Sequence, residues 1–214
     1  MPRMLRPPTS AEQFTKVSVT LADVPYWYHV YSTEVHATNS AHTFSQGWGD
    51  TRFSPITDSA GQVVDTYYLA STPDGAVMES ILHDVLIPGG LLDTAKLVHY
   101  HMARIEMVGS VTAVSLHSNF LEKMGLSRID MIERMPAEYR QTRPWAQAAY
   151  RQVTDAQALV YGSRRDDSAR CMMLFRQRLP PIPFRVLADD CVGNMPACRQ
   201  AVIALAASLA LHII

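Results

Sequence analysis

Hydrophobic and polar residues alternate in blocks along the chain, and this pattern predicts a mixture of strands and helices. Strands are predicted for the apolar and aromatic runs, which lie at residues 24–32, 63–71, 95–108, 158–164 and 169–175. Helical patterns lie at residues 119–125, at residues 139–153 and in the tail from Pro196. Because these elements do not follow a regular βαβ repeat, the expected fold class is α+β, with a mixed β-sheet core and flanking helices.

The stretch after the second predicted strand carries a helix start signal. Residues 72–74, Thr-Pro-Asp, combine a preferred N-cap, a proline suited to the first helical position and an acidic first turn. The predicted helix runs to about Ile87, just before Pro-Gly-Gly at 88–90. Its apolar side chains fill one broad face, and Glu79 falls at the edge of that face. We therefore expect the Glu79 carboxylate at the rim of the core.

Length, composition and charge favour one soluble core without a nucleic-acid or membrane surface. The chain has 214 residues, of which 48% are hydrophobic and 18% charged, and its net charge is −1. Such a charge supplies no general basic field, so no direct binding to nucleic acid or to a membrane is expected. The 3 cysteines form no C-x-x-C pair, which favours a reducing, cytoplasmic location.

The two ends of the chain differ in composition from its middle. Residues 1–20 are predicted to form a flexible arm, which carries no secretory signal, and residues 181–214 a C-terminal helical extension. The apolar run at 201–211 is too short to span a bilayer. It is a candidate cover for the sheet and equally a candidate homo-oligomer interface.

Short motifs for metal binding or nucleophilic catalysis are weak in this sequence. His99 and His101 would lie on one face of a predicted strand, but no third ligand is evident nearby, so no metal is expected. Ser163 follows Tyr161 and Gly162 at a strand end, without the flanking glycines of a nucleophile elbow. Arg52 and Glu79, each considered alone, are most simply solvated charges.

Four stretches taken together are more informative than any one of these residues. They are FSQGWGDTRFSP, YYLASTPDGAVMESILHD, YRQTRPWAQAAY and ALVYGSRRDDSARCMMLF, in that order. In sequence and order they resemble the RES domain family, named for recurring Arg, Glu and Ser residues. The resemblance covers roughly residues 25–178 and identifies residues 21–180 as a RES domain. It implies an ADP-ribosyltransferase-like fold.

The resemblance also implies a set of site residues. The family's Arg, Glu and Ser fall on Arg52, Glu79 and Ser163, and its strand tyrosine falls on Tyr68. Many members carry an early arginine on the first strand, where this chain has His29. The expected catalytic residues are Arg52, Glu79, Ser163 and Tyr68. NAD, as the substrate, is expected to be bound by His29, Arg52, Tyr68 and Ser163, with no metal.

The resemblance further implies a toxin, since many members of this family are toxins of toxin–antitoxin pairs that cleave the nicotinamide–ribose bond of NAD, whereas some instead transfer ADP-ribose to a protein. The implied acceptor is water or phosphate, and the implied partner is a cognate antitoxin with a helix-turn-helix domain. A guanidinium pairs well with the diphosphate of NAD, and a fixed carboxylate stabilises the positive charge that develops on the ribose. Tyr68 would stack on the nicotinamide, and Ser163 would bind the ribose or the amide.

Two alternatives stay open at this point. The chain could transfer ADP-ribose to a protein target, since the sequence does not define the acceptor. It could also be a non-catalytic binding module, because His29 departs from the family pattern and the tail offers an apolar surface.

Overall fold

The computed structural model describes residues 4–214, and its centre is a curled mixed sheet. The strands of that sheet are β1 Lys16–Val19, β2 Trp27–Ser32, β3 Thr66–Ala70, β5 Tyr100–Met107, β6 Val111–Ser115, β7 Ala158–Gly162, β8 Arg170–Phe175 and β9 Phe184–Cys191. Within residues 4–214 their order is β1-β6-β7-β8-β3-β2-β5-β9. All neighbours are antiparallel except β6 and β7, which are parallel. Two short strands, β4 Leu91–Leu92 and β10 His212–Ile213, pair with each other apart from this sheet.

Helices flank the sheet and confirm the predicted α+β class. They are α1 Pro73–Met78, α2 Ser118–Leu121, α3 Arg128–Met131, α4 Tyr139–Gln152 and α5 Pro196–Ser208. Short 3₁₀ turns lie at Thr94–His99, Glu122–Met124, Pro136–Glu138 and Arg176–Arg178.

The middle strands of the sheet are apolar on both faces. Leu159 of β7 packs on one face with Trp145 of α4. Met172 and Leu174 of β8 pack on the other face with Trp27 of β2. All five side chains are buried. Burial of one large apolar side chain stabilises a fold by about 1.5–3 kcal/mol, so these strands form a firm base for the rest of the sheet.

The sheet opens between β2 and β3. These neighbours are paired only at Tyr28 and Ala70, whereas β2 pairs with β5 from Trp27 to Ser32. Backbone groups left without a strand partner need another one. Here the carbonyl oxygen of Tyr68 on β3 is 2.8 Å from the Nδ1 atom of His29 on β2. The opening creates a cleft whose walls come from both strands.

Two predicted elements are wrong in their extent. The helix expected over residues 72–87 ends at Met78, although Thr72 caps it as expected. Residues 79–85 form turns instead, since the Glu79 side chain is tied to a neighbouring loop and the N–H of Leu82 reaches back to Val77. The strand expected over 95–108 begins as a 3₁₀ turn, so His99 lies outside the strand that carries His101.

Both chain ends differ from the predicted domain boundaries. The described part of the expected flexible arm, residues 4–20, packs against the domain: Leu5 donates its N–H to Gln141 of α4, and β1 pairs with β6. Residues 1–3 of that arm lie outside the described part of the chain. At the other end, β9 joins the main sheet beside β5, so the boundary expected at residue 180 cuts through the sheet.

Candidate functional site

The cleft between β2 and β3 leads into a cavity of about 450 Å³. Aromatic rings dominate its walls, with Tyr28 and Tyr31 from β2 and Tyr67 and Tyr68 from β3. The loop that precedes β3 contributes Trp48, Asp50, Thr51 and Arg52, and the segment that follows α1 contributes Glu79, Ser80, His83 and Asp84. A cavity of this volume fits a small organic ligand.

Arg52 and Glu79 meet in this cavity, as the sequence predicted for site residues. The Nη1 atom of Arg52 is 3.7 Å from Oε2 of Glu79, and the arginine is only 3% exposed. Burial disfavours the charged guanidinium, but Glu79 and the phenols of Tyr139 and Tyr161 outweigh it and raise the pKa of Arg52. Arg52 is therefore a fixed positive charge in the wall of the cleft.

Helix α4 positions the loop that carries Arg52. Thr142 donates its hydroxyl hydrogen to the carbonyl of Arg52, and Nε of Arg143 donates to the carbonyl of Thr51 at 3.2 Å. Arg143 also forms an ion pair with Asp50. These bonds hold α4 against the loop that carries Arg52, although the two segments are far apart in sequence.

Ser163 holds Glu79 instead of facing the cavity. Its buried hydroxyl donates to Oε1 of Glu79 at 2.6 Å, and the backbone N–H of Arg164 donates to the same oxygen at 2.8 Å. The Ser163 oxygen in turn accepts the N–H groups of Arg165 and Asp166, each at 3.1 Å. Ser163 is absent from the residues that line the cavity. The expected contact of Ser163 with a ligand is replaced here by a contact with the carboxylate.

Tyr68 lies in the cavity wall with its hydroxyl engaged by the Arg52 loop. The hydroxyl is 2.7 Å from Oγ1 of Thr51 and 3.3 Å from Oγ of Ser54. Burial raises the pKa of Tyr68 to about 12, although these hydroxyls oppose the shift. Tyr68 is therefore a neutral aromatic surface whose position is tied to the loop.

His29 is a buried, neutral member of an aromatic stack. Its ring lies 3.9 Å from that of Tyr67 and 5.7 Å from that of Tyr31, and both pairs are nearly parallel. Burial lowers the pKa of His29 to about 4. With the Tyr68 carbonyl as an acceptor, Nδ1 carries the hydrogen. His29 is therefore neutral at physiological pH and adds no positive charge to the cavity.

Two residues of the site were missed by the sequence reading. Tyr139 lies within hydrogen-bonding distance of both Arg52 and His83, and His83 lines the cavity. The sequence did contain a signal: His83 lies four residues after Glu79, and Tyr139 opens the third of the four stretches.

Other candidate sites do not assemble in the described part of the chain. Across residues 4–214, no three His, Cys, Asp or Glu side chains are gathered as metal ligands. His101 instead stacks on Tyr31 and lies 3.9 Å from Asp189. In the same range, no helix has the length and apolar character needed to cross a membrane.

Comparison with known proteins agrees with this geometry. The RES domain family matches residues 25–192. One chain of the M. tuberculosis MbcT–MbcA toxin–antitoxin complex superposes with a TM-score of 0.59 at 15% identity, over 89% of this chain and 92% of that chain. At that identity, the likeness shows a common fold. No curated protein matches this chain in sequence. Since the family match spans most of the chain, from before β2 to the end of β9, the chain belongs to the RES domain family.

Proposed function

We propose that this protein is a toxin that degrades NAD by cleaving its nicotinamide–ribose bond, and that a cognate antitoxin neutralises it. The observation that carries the proposal is the pair formed by buried Arg52 and half-buried Glu79 in the wall of an aromatic cavity. Membership of the RES domain family supports the same class of chemistry.

Glu79 is suited to the bond-breaking step. Departure of nicotinamide builds positive charge on the ribose, and a carboxylate fixed beforehand stabilises that charge without reorganising. Ser163 and the N–H of Arg164 hold one oxygen of Glu79, while the other faces Arg52. Both oxygens are therefore restrained before any ligand arrives.

Arg52 and the aromatic rings are suited to binding NAD. The Nε atom of Arg52 is buried and has no hydrogen-bond partner within residues 4–214. An unpaired buried donor costs about 1–3 kcal/mol, a cost that a phosphate or ribose oxygen would remove. Tyr68 and its neighbours offer flat surfaces to the planar bases of a dinucleotide.

A toxin–antitoxin role is the biological setting we propose for this activity. The structure that superposes on this chain comes from a toxin–antitoxin complex. We propose an antitoxin with a helix-turn-helix domain, and a cytoplasmic site of action because NAD is abundant there.

The test is NAD loss with purified protein, in the presence and absence of phosphate, with the products resolved by mass. The variant Glu79→Gln keeps the size of the side chain and its acceptor oxygen. We expect it to fold normally and to lose on the order of 10²-fold or more in turnover. Glu34→Gln, on an exposed loop, is the matched control and should retain full activity. Induced expression of the wild type, but not of Glu79→Gln, should stop growth.

The products also separate the remaining candidates. Free ADP-ribose indicates water as the acceptor, its 1″-phosphate indicates phosphate, and label on a protein indicates transfer to a target. Full activity of Glu79→Gln would remove the main support for the proposal. Survival of NAD with every acceptor would favour a non-catalytic binding module.

A further inference from the structure

A line of hydrogen bonds runs from the mouth of the cavity to Arg52. Nδ1 of His83 is 2.8 Å from Oδ1 of Asp84, and Nε2 of His83 is 2.9 Å from the hydroxyl of Tyr139. Nη2 of Arg52 donates to the same hydroxyl at 3.4 Å. Asp84 is exposed and His83 is half-buried, whereas Tyr139 and Arg52 are buried. The line therefore crosses from solvent into the core beside Glu79.

The direction of each bond follows from the groups involved. A carboxylate only accepts, so Nδ1 of His83 donates to Asp84, and Nε2 of the neutral ring is left as an acceptor. Tyr139 then donates its hydrogen to Nε2, and its lone pairs face Arg52, which can only donate. Burial raises the pKa of Tyr139, so the phenol keeps its hydrogen at neutral pH.

Arg52 depends on this hydroxyl for its orientation. The contact with Glu79 is long, at 3.7 Å, and Nε has no partner within residues 4–214. The Tyr139 ring also lies 5.4 Å from the guanidinium carbon. Within residues 4–214, the Tyr139 hydroxyl is therefore the side-chain group that accepts a hydrogen bond from the guanidinium, and the same hydroxyl is bonded to His83.

We propose that Asp84 and His83 are positioning residues that act through Tyr139 to hold Arg52 in its productive orientation beside Glu79. This inference rests on the proposed function of the cleft. His83 does not take a proton from the substrate or from an acceptor molecule, although it lines the same cavity. Its effect on turnover passes through the single hydroxyl of Tyr139.

A double-mutant cycle in NAD turnover tests the proposal. His83→Ala and Tyr139→Phe should each lower kcat about tenfold, as expected for loss of one hydrogen bond that orients a charged group. The double variant should also lose only about tenfold, because both changes act on one hydroxyl. His83→Gln, which offers an acceptor oxygen at similar reach, should recover most of the activity. His212→Ala, exposed near the C-terminus, is the control.

A loss of kcat of about 100-fold in the double variant, the product of the two single losses, would overturn the proposal because it would show that His83 and Tyr139 act separately. Unchanged kcat in both single variants would overturn it as well. Equal unfolding midpoints for the variants would show that the losses are not losses of fold.

A second measurement does not depend on activity. In ¹⁵N NMR spectra of the wild type at neutral pH, the neutral ring of His83 should carry its hydrogen on Nδ1, and Tyr139→Phe should shift the Nε2 resonance. A hydrogen on Nε2 would overturn the proposal even if the protein cleaves NAD. If the wild type leaves NAD intact, the proposed function fails, and the NMR result alone decides whether the hydrogen-bond line exists.

Discussion

The two halves of the main sheet differ in how completely their strands pair. On one side, β7 pairs with β8 from Ala158 to Gly162, and the side chains of the first four residue pairs are apolar and buried. On the other side, β2 and β3 share one residue pair and enclose an aromatic cavity that contains Arg52 and Glu79. The half around β7 and β8, here called the closed half, contributes packing. The half around β2 and β3, the open half, contributes a site.

The difference shows how a charged site persists inside a small domain. An unpaired buried charge destabilises a fold strongly, so buried charges survive where hydrogen bonds surround them. Neighbouring elements supply such bonds: Ser163, which follows β7, holds the Glu79 carboxylate, and Thr142 of α4 holds the backbone of Arg52. The elements that bear these groups, α4 and the end of β7, are anchored in the closed half.

The largest expected effect on this comparison comes from a cavity in the closed half. Leu159→Ala removes a side chain with no exposed surface from β7 and should lower the free energy of unfolding by about 3 kcal/mol. Turnover per folded molecule should stay unchanged. Denaturant unfolding measures the free energy of unfolding, and NAD loss measures turnover. Leu187→Ala on β9, where the leucine is 41% exposed, is the control. An equal loss of unfolding free energy in this variant would show that side chains of the closed half contribute no more to stability than those elsewhere in the sheet.

An intermediate effect is expected from the link between the two halves. Ser163→Ala removes the hydroxyl that bonds Glu79 and leaves the N–H groups of Arg165 and Asp166 without that acceptor. We expect about tenfold lower kcat, with a loss of stability of about 1 kcal/mol. Steady-state kinetics measure kcat, and thermal unfolding measures the loss of stability. Ser168→Ala, exposed in the same loop, should change neither. A raised KM with unchanged kcat would mean that Ser163 binds the ligand directly.

The smallest effect is expected in the N-terminal segment, residues 4–20, and it tests whether this segment stabilises the fold as the closed half does. Glu12 bonds Arg6 at 2.7 Å, and the bond with Arg6 lowers the pKa of Glu12 from 4.5 to about 2. Because the folded-state pKa is the lower one, this stability is present above about pH 4.5 and is lost as the pH falls towards 2. Glu12→Gln should cost about 1 kcal/mol at pH 7, since Arg6 is partly exposed.

Unfolding curves of wild type and Glu12→Gln should converge near the folded-state pKa of Glu12. Glu122→Gln, at an exposed position, should match the wild type throughout. Identical stability of Glu12→Gln and wild type at pH 7 would indicate that the Arg6–Glu12 pair contributes nothing to the fold.

Local patterning was sufficient for the strands of the closed half. The runs predicted at 158–164 and 169–175 appear as β7 and β8 with their ends moved by a few residues. Strands buried on both faces read as continuous apolar runs, and that signal is local. The stretch FRVLADDC also alternates between apolar and polar residues. Its partner β5 lies far away along the chain, however, so the local pattern does not show that β9 belongs to the main sheet and not to the predicted C-terminal extension.

The sequence singled out residues that the fold brings together, but it did not indicate the contacts that each of them makes. The four stretches identified Arg52, Glu79, Ser163 and Tyr68, the family's first-strand position pointed to His29, and the fold gathers all five around one cleft. The sequence assigned Ser163 to the ligand, whereas its hydroxyl is directed at Glu79. The bond of His83 to Tyr139, 56 residues away, was equally invisible. Side-chain direction depends on neighbours that are distant in sequence.

The amino-acid sequence by itself determined the α+β class, the buried strands at the centre of the sheet and the family to which the site residues belong. These follow from periodicity and from short motifs, which are properties of neighbouring residues. Only the tertiary structure decided where β2 and β3 separate, where the helix before Glu79 stops and which groups hold Arg52. Each of these depends on hydrogen bonds and packing between segments that meet only when the chain is folded.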